Sequence, residues 1–349
     1  MNAFSIQNQR WIIDVREQGS ISVESSNGPV FVVGMWRSGT SLLHTLLNQH
    51  PNIALMYEGN LPLLWPLFRH GKARADWLER WEFWSGALSR HKIDTQPLQG
   101  VHPDLPVAME LVYRQYAGLA RWGCKSPGYF DCMVRLEKEF PRAQFIVLYR
   151  NPFDICRSII RAGRKSPWFA KPGMPLRGLL GYHAMKREAD RLQRLGARVH
   201  QIQYEDLVKD PAEVLSGICN FLQIPFDSRM TSLDGADRSS IHDAEHHAGV
   251  KGGEIFASNK REEILPPRLQ LKIQRYINLW HKEYGGHWPL YPKPETSTGK
   301  CPGWTERLVD AVRYRWYRAF DEAIIWIYCF APMRLLRTYR GMVGSRLGA

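Results

Sequence analysis

The run Gly34-Met35-Trp36-Arg37-Ser38-Gly39-Thr40-Ser41 is built to hold an anion. Two glycines bound a short polar turn, a cation sits inside it, and two hydroxyls follow. Backbone N–H groups in such a turn, with a helix N-terminus behind them, form a phosphate cradle. The glycine spacing is that of a P-loop, with one difference. A nucleoside triphosphatase uses a Lys after the second glycine to reach the β- and γ-phosphates. This chain has Thr40 at that point and carries Arg37 within the loop. Phosphate binding is therefore expected, and ordinary ATP or GTP hydrolysis is not. A glycine turn between packed elements, with no ligand, is the plainer alternative.

The elements that must position this loop are also legible. Val30 to Val33 is an apolar, β-branched run of the kind that forms a buried parallel strand. Leu42, Leu43, Leu46 and Leu47 follow at helical spacing, with Thr40 or Ser41 placed to cap the helix. Further strands are expected at 52–56, 119–124, 144–149 and 199–204. Helices are expected at 107–118, 133–140, 181–195, 211–222 and 266–284. Another helix starts at Asn151, with Asn151 as N-cap, Pro152 at N1 and Asp154 at N3. Residues 62–100 are rich in Trp and Arg; they could line an acceptor pocket, but ordinary helix packing accounts for them better. Residues 163–178 and 226–262 read as loops, the first as a lid. Strands alternating with helices give an α/β fold, a parallel sheet flanked by helices. Ligands of such sheets bind at the carboxyl ends of the strands. Arg37, Glu58, Lys125, Arg150 and Tyr204 each end or follow a candidate strand.

Arg37-Ser38-Gly39-Thr40-Ser41-Leu42-Leu43 resembles the 5′-phosphosulfate loop of the sulfotransferases that use 3′-phosphoadenosine 5′-phosphosulfate (PAPS). The resemblance covers about residues 29–285 and is closest in motifs to bacterial carbohydrate and tyrosylprotein-type members. It implies the P-loop-like sulfotransferase fold and transfer of a sulfuryl group to an acceptor hydroxyl or amine. By analogy with phosphoryl transfer, the protein mainly positions reactants and neutralises charge. Arg37 would stabilise the bridging oxygen; a guanidinium holds its proton too firmly to donate it. Ser38, Gly39, Thr40 and Ser41 would hold the 5′-phosphate. Arg150-Asn151-Pro152-x-Asp154-x3-Ser158 is similar to the family's 3′-phosphate site. At about 3.6 residues per turn, Ser158 returns nearly to the face of the helix start. Glu58 stands where tyrosylprotein and many bacterial carbohydrate members keep the base that takes the acceptor proton. Lys125-Ser126-Pro127 resembles the Lys-x-Pro segment whose Lys contacts the sulfuryl oxygens. Tyr204, in Tyr204-Glu205-Asp206-Leu207, would pack on adenine, and Ser258 and Lys260 would close over the nucleotide. The resemblance needs no metal. It favours a carbohydrate or glycolipid acceptor and leaves a peptide tyrosine or small alcohol open.

Composition bounds the rest. The chain has 349 residues and a net charge of +13, which suits anionic partners: a nucleotide, a nucleic acid or an anionic membrane. A nucleic-acid-binding protein is the rival from another class, but no basic stripe with interleaved aromatics marks a recognisable module, so no nucleic-acid partner is expected. A small-molecule kinase is the rival enzyme, disfavoured by Thr40. Six cysteines without a C-x-x-C pair fit a reducing compartment. Residues 1–26 do not read as a secretory signal, and no apolar run reaches about 18 residues, so a cytoplasmic enzyme is expected. His242, Asp243, Glu245, His246 and His247 lack an E-x-x-H frame, so a metal is not expected. The expected organisation is an N-terminal extension (1–28), a sulfotransferase domain (29–285), a linker (286–303) and a basic amphipathic helical tail (304–349). In that tail Val309, Val312, Trp316, Phe320, Ile324 and Ile327 form a helical stripe among Arg313, Arg318, Arg334, Arg337 and Arg340. It resembles an interfacial helix on the inner face of a membrane. Docking on the domain and a homodimer contact are the alternatives.

Overall fold

A computed structural model describes residues 28–241, 250, 252, 255, 263–283 and 300–338. In chain order the first elements are β1 (Val30–Gly34), α1 (Thr40–Leu47), β2 (Ile53–Tyr57), α2 (Trp77–Ser85), α3 (Ala87–Arg90) and α4 (Leu105–Ala117). There follow β3 (Arg121–Lys125), α5 (Met133–Glu139), β4 (Gln144–Tyr149), α6 (Pro152–Gly163), α7 (Met174–Arg194) and β5 (Arg198–Gln203). The chain continues through α8 (Tyr204–Lys209), α9 (Pro211–Leu222), α10 (Pro267–Glu283) and α11 (Trp304–Phe330). Two compact units result: residues 28–57 with 120–315, and residues 58–119 with 316–338. This division differs from the sequential domain and tail read from the sequence.

The first unit holds a five-stranded sheet of order β2-β3-β1-β4-β5. Every pairing is parallel, with Val30 opposite Gly123 on one side and Gln144 on the other. β1 and β4 are buried along their whole length, as strands covered on both faces must be. Alternation along β1 sends Phe31 to one face and Val30 and Val32 to the other. Phe31 packs among Trp122, Tyr129, Phe140 and Phe145, with ring centroids 5.5 to 6.4 Å apart. Val30 and Val32 join Leu42, Leu43, Leu46 and Leu47 of α1 and Leu215, Ile218 and Leu222 of α9. Each fully buried side chain of this size contributes about 1.5–3 kcal/mol. From β1 the chain runs to β2 and β3 on one side, then crosses to β4 on the other. That reversal opens a crevice at the carboxyl ends of β1 and β4.

Three local expectations are corrected. Neither Thr40 nor Ser41 caps α1: Gly39 is the N-cap at φ +99°, with no side-chain cap. Tyr204 does not end a strand but opens α8, since β5 stops at Gln203. The loop expected over 163–178 shrinks, because α7 already begins at Met174 behind a left-handed Gly173. Gly178 belongs to that helix: a Cβ there would lie 2.4 Å from Ile159 Cδ1, so α6 and α7 approach closely here and Ile159 would have to shift for any larger residue. The Asn151 cap does form, its side chain accepting from Phe153 N at 2.9 Å. Asp210 caps α9 in the same way, accepting from Glu213 N at 3.0 Å.

In the other unit Trp77 and Trp81 stack at 6.4 Å, both buried. Their indole N–H groups reach the carbonyls of Val101 and Gly59. These tryptophans are therefore core, as the plainer reading held. Ser258, Lys260, the cluster His242 to His247, Arg340 and most of the expected linker lie outside the described residues.

Candidate active site

The phosphate loop starts where β1 ends. Ser38 N donates to Met35 O at 3.0 Å and closes the turn. Gly34 is required by that closure, because a Cβ would fall 2.5 Å from Ser38 Oγ and 2.6 Å from Thr40 Cγ2. Arg37 has φ +69°, a conformation that costs a non-glycine residue about 1–3 kcal/mol. The Ser41 hydroxyl is bonded to the Tyr57 phenol at 3.0 Å. With no side chain capping α1, its first-turn N–H groups are not consumed by a hydroxyl.

The second signature meets the first directly. Arg150 follows β4, and its Nη1 donates to the Arg37 carbonyl at 2.8 Å. Ser158, two turns into α6, accepts from Arg37 Nε at 3.0 Å. Tyr204 lies between the two loops. Its ring sits 4.2 Å from the Arg150 guanidinium carbon, and its Cδ2 occupies the place a Cβ on Gly39 would need, 2.3 Å away. Glu205, the next residue, accepts from Asn151 N at 2.9 Å and ties the start of α8 to the start of α6. Lys125, at the end of β3, is buried, and its Nζ stands 3.8 Å from the centre of the Tyr57 ring.

Charge limits what this arrangement can hold. Burial, then the Arg150 charge, pushes Arg37 down to about 10, and Arg161 adds to the repulsion. Arg37 stays cationic at neutral pH, so positive charges converge in a partly desolvated place. An anion placed here would relieve that repulsion and could accept from both guanidinium groups. Two further groups fit an anionic ligand. Ser38 Oγ and Arg150 Nε are buried and have no hydrogen-bond partner among the described residues, a state that folded proteins rarely leave uncompensated. Burial raises the Tyr204 phenol, opposed by Arg150, which keeps the ring neutral and suited to stacking.

Arg37, Ser38, Gly39, Thr40, Ser41, Arg150, Ser158 and Tyr204 thus gather at one crevice, and Lys125 ends the neighbouring strand. Glu58 directly follows β2, with a left-handed backbone at φ +48°. Sequence reasoning missed Tyr57, which holds both Ser41 and Lys125, although its place at the carboxyl end of β2 was a signal. It also missed the Arg37–Ser158 and Gly39–Tyr204 contacts, which join segments more than 100 residues apart and leave no local trace.

Comparison with known proteins places this geometry. Residues 29–228 match the model described as the sulfotransferase family. Nodulation protein H of Rhizobium tropici is 25% identical over 266 residues, covering 65% of this chain and 92% of that protein. The sulfotransferase domain from the curacin biosynthetic pathway superposes with a TM-score of 0.52 at 22% identity, over 72% of this chain and 98% of that one. The sulfotransferase domain of the Synechococcus PCC 7002 olefin synthase gives 0.53 at 20% identity, over 79% and 100%. These two structures show the shared fold. The family match spans more than half of the chain, and the chain belongs to the sulfotransferase family of enzymes.

Proposed function

We propose that this enzyme moves the sulfuryl group of PAPS to a hydroxyl of a carbohydrate or glycolipid acceptor. The observation that carries the donor assignment is the joined pair Arg37 and Arg150 on the phosphate loop, with Ser158 bonded to Arg37 Nε. PAPS supplies an activated sulfuryl group on a phosphate leaving group. The loop N–H groups of Ser38 to Ser41 would hold the 5′-phosphate, and Arg150 with Ser158 the 3′-phosphate. Arg37, oriented by Ser158, would neutralise charge on the bridging oxygen without giving up its proton. Lys125, steadied by the Tyr57 ring, would face the sulfuryl oxygens, and Tyr204 would stack on adenine. Glu58 would take the acceptor proton as general base. The acceptor class rests on Glu58, which the resemblance places with the carbohydrate and tyrosylprotein branches. All six cysteines are free, which supports work in a reducing compartment such as the cytoplasm.

Calorimetry with 3′-phosphoadenosine 5′-phosphate (PAP), beside ATP and duplex DNA, tests the donor site against the kinase and nucleic-acid readings. PAP should bind tightest. Charge-assisted bonds contribute about 1.5–3 kcal/mol, so Arg150→Ala should weaken PAP roughly ten- to a hundred-fold. Glu58→Gln should leave PAP affinity unchanged and lower kcat by about 10²–10⁴ on a sulfated acceptor identified by mass spectrometry. A folded Arg150→Ala variant with wild-type PAP affinity refutes the donor site. A Glu58→Gln variant at the wild-type rate removes Glu58 as the base.

A further inference from the structure

Helix α11 presents a long apolar face to solvent. It has 27 residues, so it runs about 40 Å. Trp304, Leu308, Val309, Val312, Trp316, Phe320 and Ile327 are each about half exposed or more, with Trp316 at 69%. They share one face, because their spacing follows the helical repeat. The helix is not free to turn that face inward. Its opposite side is fixed by Asp310, which is buried and accepts from Lys272 Nζ at 2.7 Å and Tyr276 OH at 3.0 Å. Tyr314 OH donates to Asp131 at 2.6 Å. Near the other end, Arg80 donates to the carbonyls of Tyr328 and Ala331, beside a fully buried Cys329. The exposed stripe is thus the side left over once the docking contacts are made. A monomer rarely leaves so continuous an apolar strip uncovered without a use for it.

We propose that this face lies in the headgroup layer of an anionic membrane and holds the enzyme on the lipid surface. Arg313 borders the apolar face, at about +100° of helix rotation from Val312, and Arg315, at about −60°, lies within its other edge between Leu308 and Trp304, by the ordinary turn of about 100° per residue. Both are substantially exposed. Beyond the end of α11, Arg334 follows in the short helical stretch 333–338, where Arg337 is bonded to Glu79. Indole side chains at Trp304 and Trp316 suit the boundary between acyl chains and water. A second copy of this chain fits less well. Two-fold pairing of the stripe about its middle, near Trp316, would bring the exposed Arg313 and Arg315 of both copies together. Among the described residues no helix is long and apolar enough to cross a membrane, so the contact is peripheral.

Flotation of the full chain with phosphatidylglycerol vesicles, against phosphatidylcholine vesicles, tests this. The wild type should bind phosphatidylglycerol at least about tenfold more strongly, and salt should weaken the binding. Arg313→Gln with Arg315→Gln should reduce binding by about fivefold per charge. Trp316→Ser with Phe320→Ser should reduce it by at least about tenfold. PAP affinity measured on every variant should match the wild type and reports a folded donor site. Equal vesicle binding by the wild type and both double variants would overturn the proposal. So would a stable dimer in light scattering that Trp316→Ser with Phe320→Ser dissociates, since the face would then belong to a second copy. Neither readout uses an acceptor, so failure here and failure of the sulfuryl-transfer reading are separate results.

Discussion

Gly39 sits where the phosphate loop and Tyr204 touch, and two independent constraints act on it. Its φ is +99°, and a Cβ would overlap the Tyr204 ring at 2.3 Å. Gly235 provides the comparison: its φ is +71°, and a Cβ there would meet nothing within 4 Å. Gly235→Ala should therefore cost only the backbone strain, about 1 kcal/mol. Gly39→Ala should cost roughly 2–4 kcal/mol, because the ring must also move. It should also weaken PAP by about tenfold or more, since Tyr204 also packs against Arg150. Denaturant unfolding of both variants, with calorimetry, checks this. Equal destabilisation at the two glycines would show that the Tyr204 contact contributes nothing.

Helix α6 has the job of delivering Ser158 to Arg37, and its first turn decides where it points. Asn151 accepts from Phe153 N, while its own N–H is held by Glu205. Asp154 adds a favourable charge at the positive end of the helix dipole. Asn151→Ala should lower stability by about 1 kcal/mol and weaken PAP severalfold through Ser158. Thermal unfolding and PAP titration would show both; a loss of stability with unchanged PAP affinity would mean that α6 is held elsewhere. Gly178 and Gly181 show the converse problem for sequence reading. Gly178 falls in the stretch read as loop, yet both lie inside α7, where a Cβ would meet Ile159 Cδ1 at 2.4 Å and Met35 Sδ at 2.8 Å, so those side chains would have to shift. Glycine marks a tight approach as well as a turn, and only the neighbouring helix tells which.

At the scale of the molecule, α7, α10 and α11 meet around a partly buried histidine. His183 Nδ1 accepts from Trp280 Nε1 at 2.9 Å, so the ring is neutral with its proton on Nε2. Burial, with Arg187, Lys186 and Arg307 nearby, pushes His183 from 6.5 down to about 4. The unfolded chain takes up this proton near 6.5, the fold only near 4. Stability that is intact above about pH 6.5 should therefore fall as pH drops from there towards 4, by on the order of 3 kcal/mol in total. His183→Gln can still accept from Trp280 and cannot titrate. Between about pH 7 and pH 5 its melting temperature should fall less than that of the wild type. Parallel pH curves for the two proteins would show that His183 is not buried neutral.

The sequence by itself determined which residue types line the crevice and most of the frame around it. The P-loop spacing with Thr40 for Lys, the apolar runs of β1 and β4, and the Asn151-Pro152 and Asp210-Pro211 helix starts are local patterns. Each depends on residues a few positions apart, so each can be read without knowing the fold. The tertiary structure decided what depends on distant neighbours. It chose Gly39 over Thr40 as the cap of α1 and placed Tyr204 against Gly39. It joined Arg37 to Ser158 across the sheet and used the Trp-rich segment as core. It grouped residues 58–119 with 316 onward rather than with the strands on either side. It also selected which side of α11 docks. A helical stripe states only that one face is apolar, and here the buried partners of Asp310 and Cys329 claim the opposite side, leaving Trp316 and Phe320 exposed.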